Sequence, residues 1–120
     1  MTPTSDYRPG LHILASIRAS PDALSDMDAC RAAFDGIIAG HQLQKVGEAY
    51  HAFPGGGFTA VVALTESHLS IHTWPEYGLA TFDVFLSNFL RDNSAAVRSV
   101  YAAVLRQLHA TEISKTELAR

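Results

Sequence analysis

The chain has 120 residues, 48% of them hydrophobic, which predicts one domain with a core of ordinary size. Its formal charge of -3, with no cluster of Lys or Arg, argues against nucleic acids and acidic membranes as partners. Cys30 is the single cysteine, so an internal disulfide and a thiolate metal site are excluded. The polar residues 1–9 and the lack of a long apolar run predict a soluble, cytoplasmic protein.

The chain begins, after its polar tail, with a predicted strand and a predicted helix. Residues 11–17 are an apolar run with β-branched members, which favours a strand. Residues 22–40 repeat apolar side chains at helical spacing and end on a glycine, so they predict an amphipathic helix. We expect Ser25 and Asp28 to form a capping box at its start.

The middle of the chain predicts four strands. Residues 43–53 and 58–64 form a pair around the glycine turn of residues 54–57. Residues 67–73 and 79–86 follow, separated by a segment that contains Pro75 and Gly78.

The last part of the chain predicts a second helix and a last strand. Ser94 is a suitable N-cap, and the residues after it carry an apolar stripe. The last strand is expected near residues 110–118. Strands grouped around two helices predict an α+β two-layer sandwich, a mainly antiparallel sheet with two helices on one face. If the other face is also apolar, a second subunit is its simplest cover, so we expect a homodimer.

Polar and titratable side chains are most concentrated in residues 65–76, which lie between the most apolar runs of the chain. The strand period places His68, Ser70 and His72 on one face, which is a candidate site wall. Metal ligation, hydrogen-bonded strand histidines without a chemical role, and Ser-His hydrolase chemistry are the alternatives. The strand character and the lack of a clear third ligand argue against a metal, and Ser67 lacks the G-x-S-x-G elbow of hydrolases.

Residues 66–78, E-S-H-L-S-I-H-T-W-P-E-Y-G, resemble the signature of the prokaryotic-type S-adenosylmethionine decarboxylases, which are pyruvoyl-dependent enzymes. The likeness is weaker but extends over nearly the whole chain, through His12, residues 51–53, Thr59 and residues 83–85. This family is made as a proenzyme that cuts its own backbone.

The resemblance implies that Ser67 attacks the carbonyl of Glu66, and that the resulting ester is converted to a pyruvoyl group and ammonia. The single domain, residues 1–120, would then consist of two chains, 1–66 and 67–120. Matched by position, His72 is the base and Thr59 the assisting hydroxyl. Such a step requires a nucleophile, a base and donors for the oxyanion.

The implied cofactor is the covalent pyruvoyl group from Ser67, which forms a Schiff base with the substrate amine and accepts the electrons left by carbon dioxide. The implied substrate is S-adenosylmethionine, and the product would be the aminopropyl donor for spermidine synthesis. Phe53 would stack on the adenine and Glu76 would bind the ribose, with Trp74 and His68 completing the substrate-binding wall. No metal is expected.

The chain departs from the family where the product is reprotonated. Ser87 stands in place of the usual cysteine, and a hydroxyl is a much weaker acid than a thiol. Arg18 is also unusual and could bind a substrate carboxylate, which suggests ornithine or arginine as alternative substrates; otherwise it lies at a strand end with no such role. A non-catalytic paralogue that binds a partner or a nucleoside is a third hypothesis.

Overall fold

Six strands form one sheet in the computed structural model, which describes residues 7–120. In chain order they are β1 (Leu11–Arg18), β2 (Lys45–Ala52), β3 (Phe58–Leu64), β4 (Ser67–Trp74), β5 (Leu79–Leu86) and β6 (Thr111–Ala119). Their order across the sheet is β2-β3-β4-β5-β1-β6, and every neighbouring pair is antiparallel. All six predicted strands are confirmed, with ends that shift by at most two residues. Of the predicted polar tail, residues 1–6 lie outside the described range.

Two helices, α1 (Met27–Gly40) and α2 (Ser94–Leu108), pack on one side of this sheet. The predicted capping box of Ser25 and Asp28 is wrong, because a short 3₁₀ turn over Ala23–Ser25 precedes α1. Asp26 is the N-cap instead, and its Oδ1 accepts a hydrogen bond from the N–H of Ala29 at 3.0 Å.

The start of α2 also differs from the prediction by one residue. Asn93 occupies the N-cap position, so the predicted cap, Ser94, is the first helical residue. The N–H of Ser94 donates to Oδ1 of Asp92 at 3.0 Å. No helix in residues 7–120 has the length and hydropathy needed to cross a membrane.

The core lies between the helices and the sheet. Alternate residues of the strands, such as Ile13, Leu69 and Val84, are completely buried there. Phe34 of α1 and Val100 of α2 meet them from the helical layer, at 1% and 0% exposure. The α+β two-layer fold is thus confirmed, with both helices on one face.

Neither helix covers the opposite side of the sheet, which we call the open face. Its residues alternate with the buried ones, so Leu14 and Val61 are 37% and 41% exposed. Polar residues lie between them, including Ser70 and Thr81, which are partly exposed. The open face is therefore mixed in polarity, whereas the argument for a homodimer had assumed an apolar one.

Candidate active site

The β3-β4 hairpin presents the peptide bond between Glu66 and Ser67. The register pairs Leu64 with Ser67, so Thr65 and Glu66 form a two-residue turn. Tight hairpins usually place positive φ angles on the turn residues themselves. Here Ser67, at the first position of β4, has a φ of 137°. A residue with a side chain pays about 1–3 kcal/mol for such a conformation, so strain is concentrated at this bond.

Neighbouring groups hold Glu66 on both its backbone and its side chain. Its carbonyl oxygen accepts a hydrogen bond from the N–H of Ser87 at 2.8 Å. Its carboxylate accepts two hydrogen bonds from Arg91, at 2.9 and 3.2 Å, and one from Nδ2 of Asn93 at 2.7 Å. The hydrogen bonds from Arg91 lower the pKa of the Glu66 carboxyl, and the one from Asn93 adds to this. The Glu66 side chain is therefore held in its ionised form, and its backbone carbonyl is hydrogen-bonded to a donor.

A pocket of about 560 Å³ opens at the other end of β4. Its walls include Phe53, Thr59, His72, Trp74 and Glu76. This volume falls within the ordinary range for small-molecule sites. The pocket thus brings together Phe53 and Glu76, the predicted adenine and ribose contacts, with the predicted base.

The glycine turn shapes one edge of this pocket. Gly57 is buried, and a Cβ there would lie 2.7 Å from the carbonyl oxygen of Thr73. Only glycine allows so close an approach of two backbone segments. The close approach also lets the Thr73 hydroxyl accept a hydrogen bond from the N–H of Phe58 at 2.9 Å and donate one to the carbonyl oxygen of Leu24 at 2.8 Å.

Thr59 and His72 face each other across β3 and β4. They are register partners, and Oγ1 of Thr59 lies 2.7 Å from Nδ1 of His72. This hydrogen bond orients the imidazole and leaves its Nε2 as the nitrogen available for proton transfer. The pairing supports a base assisted by a hydroxyl, as the resemblance implies.

His68 belongs to a different cluster at the centre of the open face. Oδ2 of Asp83 accepts hydrogen bonds from Nε2 of His12 at 2.7 Å and Nε2 of His68 at 2.9 Å. Its Oδ1 accepts from the hydroxyl of Ser70. Burial raises the pKa of Asp83, but the hydrogen bonds from Ser70, His12 and His68 outweigh it, so the net shift is downward.

The cluster also offers one ligand atom from each of His12, His68 and Asp83, all within 4.8 Å of one another. Nε2 of both histidines is already within hydrogen-bond distance of Oδ2 of Asp83, however, and a guanidinium nitrogen of Arg120 lies 3.4 Å from Nδ1 of His12. The arrangement therefore fits a hydrogen-bond network around one carboxylate better than it fits a metal centre.

The predicted catalytic residues form two groups at opposite ends of β4. Glu66, Ser67 and Ser87 lie at its start, while His72 and its pocket neighbours lie at its end. His72 lies five positions after Ser67 along the strand, and a rise of 3.3 Å per residue places the two about 16 Å apart. Proton transfer requires contact at about 3 Å, so one chain does not bring its own predicted nucleophile and predicted base together.

Arg18 lies at the same end of the sheet as the pocket. It pairs with Leu79, which in turn pairs with Trp74, so the three residues form the last row of β1, β5 and β4. Arg18 is exposed and lies two strands, or about 10 Å, from Trp74. This separation places it beside the pocket and outside its wall.

Comparison with known proteins identifies the group to which this chain belongs. The sequence model described as S-adenosylmethionine decarboxylase matches residues 11–120. An S-adenosylmethionine decarboxylase proenzyme from Aquifex aeolicus is 39% identical over 107 residues, which cover 88% of this chain and 76% of that protein. One from Thermoplasma acidophilum is 30% identical over 112 residues, covering 92% and 82%. The crystal structure of the adenosylmethionine decarboxylase from A. aeolicus aligns with a TM-score of 0.82 at 36% identity, over 95% of this chain and 92% of that one.

These matches define the class of the protein as the pyruvoyl-dependent carboxy-lyases that are made as proenzymes. Within that class, the chain belongs to the S-adenosylmethionine decarboxylase family. The resemblance seen in residues 66–78 is thereby confirmed, together with the enzyme class.

Sequence reasoning did not find the groups that contact Glu66 and Asp83. Arg91 and Asn93 lie in an irregular connection that carries no motif, so no sequence signal pointed to them. His12 and Asp83 were noted as points of likeness to the family, but their 71-residue separation hid their contact.

Proposed function

We propose that this protein cuts itself between Glu66 and Ser67 and uses the resulting pyruvoyl group to decarboxylate S-adenosylmethionine. The observation that carries this proposal is the backbone at the cut, where Ser67 is strained and the Glu66 carbonyl accepts the N–H of Ser87 at 2.8 Å. Negative charge develops on that carbonyl oxygen when a nucleophile attacks, and a donor already in place stabilises it. The product would be the aminopropyl donor for spermidine synthesis.

The cut itself proceeds through the hydroxyl of Ser67. Its Oγ adds to the carbonyl carbon of Glu66 and loses its proton to a base, and the C–N bond then breaks to leave an ester and a free amine. Removal of the Cα proton of Ser67 breaks the ester, which releases Glu66 with a free C-terminal α-carboxylate and leaves dehydroalanine at position 67. Water then hydrolyses the imine form of this dehydroalanine to the keto group of pyruvoyl, which consumes one water and releases one ammonia. The pyruvoyl group has no N–Cα bond, and the φ strain disappears with it.

We further propose that His72 and Thr59 reach Ser67 from a second copy of the chain. A two-fold axis parallel to two facing sheets and perpendicular to β4 brings the start of one strand over the end of its partner. Facing sheets pack about 10 Å apart, a gap that side chains from both sides fill. Leu14 and Val61 on the open face would be buried by the same contact. The homodimer is thus supported by the separation of the site residues.

The pocket end would bind the substrate. A volume of about 560 Å³ between Phe53 and Glu76 suits a nucleoside better than it suits ornithine or arginine. Phe53 is 49% exposed, so its ring is available for stacking on an adenine. Once formed, the pyruvoyl group supplies the electron sink for loss of carbon dioxide. His72 holds a nitrogen for proton transfer at the same site.

The proposal is tested by mass and by isotope release. Intact-mass measurement of the purified protein should give two fragments that meet at Ser67, the second with a keto terminus, and Ser67→Ala should stay uncut. Carboxyl-labelled S-adenosylmethionine should then release labelled carbon dioxide, with labelled ornithine and arginine as comparisons. A single uncut wild-type chain would refute self-processing. Complete cutting with no release from S-adenosylmethionine would refute the substrate.

A further inference from the structure

Two side chains outside the motif converge on the residue whose carbonyl is attacked. Arg91 and Asn93 both follow β5, in the connection to α2, and both donate hydrogen bonds to the Glu66 carboxylate. We propose that Arg91 and Asn93 are positioning residues that hold the Glu66–Ser67 peptide in the geometry its cleavage requires. This inference rests on the self-processing proposed above, and neither residue touches the reacting atoms.

Asn93 connects the two halves of the reacting geometry. Its Nδ2 donates to Oε1 of Glu66 at 2.7 Å and to the carbonyl oxygen of Ser87 at 2.9 Å. The first contact holds the residue with the attacked carbonyl, and the second holds the residue whose N–H binds that carbonyl. One amide therefore sets the distance between acceptor and donor.

Asn93 is itself held firmly. It is 3% exposed, and its N–H donates to Oδ1 of Asn88 at 2.7 Å. Its backbone carbonyl accepts the N–H of Val97 at 2.9 Å, which joins it to the first turn of α2. A buried side chain fixed to a helix start is a rigid reference point for the hairpin turn that carries Glu66.

Arg91 contributes charge and orientation. Its guanidinium grips the Glu66 carboxylate at both oxygens, a geometry that restricts rotation as well as translation. The Glu66 side chain is only 10% exposed, whereas that of Arg91 is 47% exposed. An arginine so open to solvent contributes little to folding, which separates a positioning role from a purely stabilising one.

The two contacts oppose the relaxation of Ser67. A residue with φ of 137° lowers its energy by rotating the preceding peptide toward negative φ. Such a rotation would carry the Glu66 carbonyl away from the N–H of Ser87. Because Arg91 and Asn93 anchor the Glu66 side chain, the peptide stays in the strained conformation until the bond is cut.

The test measures cleavage as the chain folds. Met1 and Met27 are the only methionines and both lie in residues 1–66. A pulse of labelled methionine in a cell-free translation therefore follows the change from full-length chain to N-terminal fragment. Arg91→Ala should slow this step about 10-fold, and Asn93→Asp, which replaces a donor by a carboxylate facing Glu66, about 100-fold. Arg91→Lys should recover part of the rate.

Arg98→Ala is the matched control, because Arg98 pairs with Glu117 on another part of the surface at 3.0 Å. Its cleavage rate should equal that of the wild type. The pH profile provides a second readout. Arg91 lowers the pKa of Glu66, so in Arg91→Ala the part of the acid-side fall in cleavage rate that follows protonation of Glu66 should move to higher pH. A change in fold stability alone would not move it.

The outcomes separate the two proposals. Wild type and Arg98→Ala that both remain uncut would refute self-processing itself. If the wild type is cut, and folded Arg91→Ala is cut at the same rate with an unshifted pH profile, the positioning role alone is overturned. If Asn93→Asp fails to fold by circular dichroism, Arg91→Ala and Arg91→Lys decide the matter.

Discussion

Separation of Ser67 from His72 along β4 leads to a complementation experiment between two inactive chains. Ser67→Ala removes the proposed nucleophile, and His72→Ala removes the proposed base. The distance of about 16 Å within one chain exceeds the reach of a direct proton transfer about fivefold, and for this reason we propose that each base serves the partner's serine. A mixed dimer then contains one site with both residues intact and one site with neither.

Random pairing at equal expression fixes the expected yield. About half of the His72→Ala chains pair with a Ser67→Ala chain, and these should be cut, while all Ser67→Ala chains remain whole. Co-expression with two different affinity tags and intact-mass measurement of each chain gives the fractions directly. Each variant expressed alone should stay uncut. Mixed dimers recovered by both tags without any cut chain would refute the shared site, and cutting of His72→Ala alone would refute its role as the base.

Three further predictions concern single side chains. Ser87→Cys should raise the decarboxylation turnover by about 10-fold or more, because a thiol with a pKa of about 8.5 is a far better general acid than an alcohol, and an unchanged turnover would remove Ser87 from reprotonation. Burial raises the pKa of Cys30 to about 12, so iodoacetamide at pH 8 should leave the folded protein unmodified and active; rapid alkylation would contradict its burial. The pKa of Asp83 is lowered, so its carboxylate stabilises the fold above its ordinary value of about 3.9, and that contribution is lost as pH falls through the lower folded value. Asp83→Asn should therefore cost about 1.5–3 kcal/mol of unfolding free energy at pH 7 by urea titration and much less near pH 3, and an equal cost at both pH values would be evidence against the charged network.

Local patterns predicted the secondary structure well because its causes are local. Alternating apolar residues in 79–86 predicted β5 with the observed bounds, since side chains in a strand face opposite sides in turn. The cap of α1 was missed because Ser20 to Ser25 form a separate turn, with the Ser25 hydroxyl bonded to the carbonyl of Pro21 at 2.8 Å. Two overlapping turn-forming segments offer the backbone more than one partner, and sequence spacing does not rank them.

The sequence by itself indicated the family, because residues 66–78 are contiguous and their types are typical of it, and through that resemblance it pointed to the Glu66–Ser67 bond as the proposed cut. It also determined the hydroxyl-histidine pair in kind, through Thr59 and His72. The tertiary structure decided which of these residues can meet. Strand rise separates Ser67 from His72, whereas sheet pairing and the connection after β5 bring Ser87, Arg91 and Asn93 to Glu66 across 21 to 27 positions. Such distances follow from the packing of the whole chain and leave no mark on local sequence.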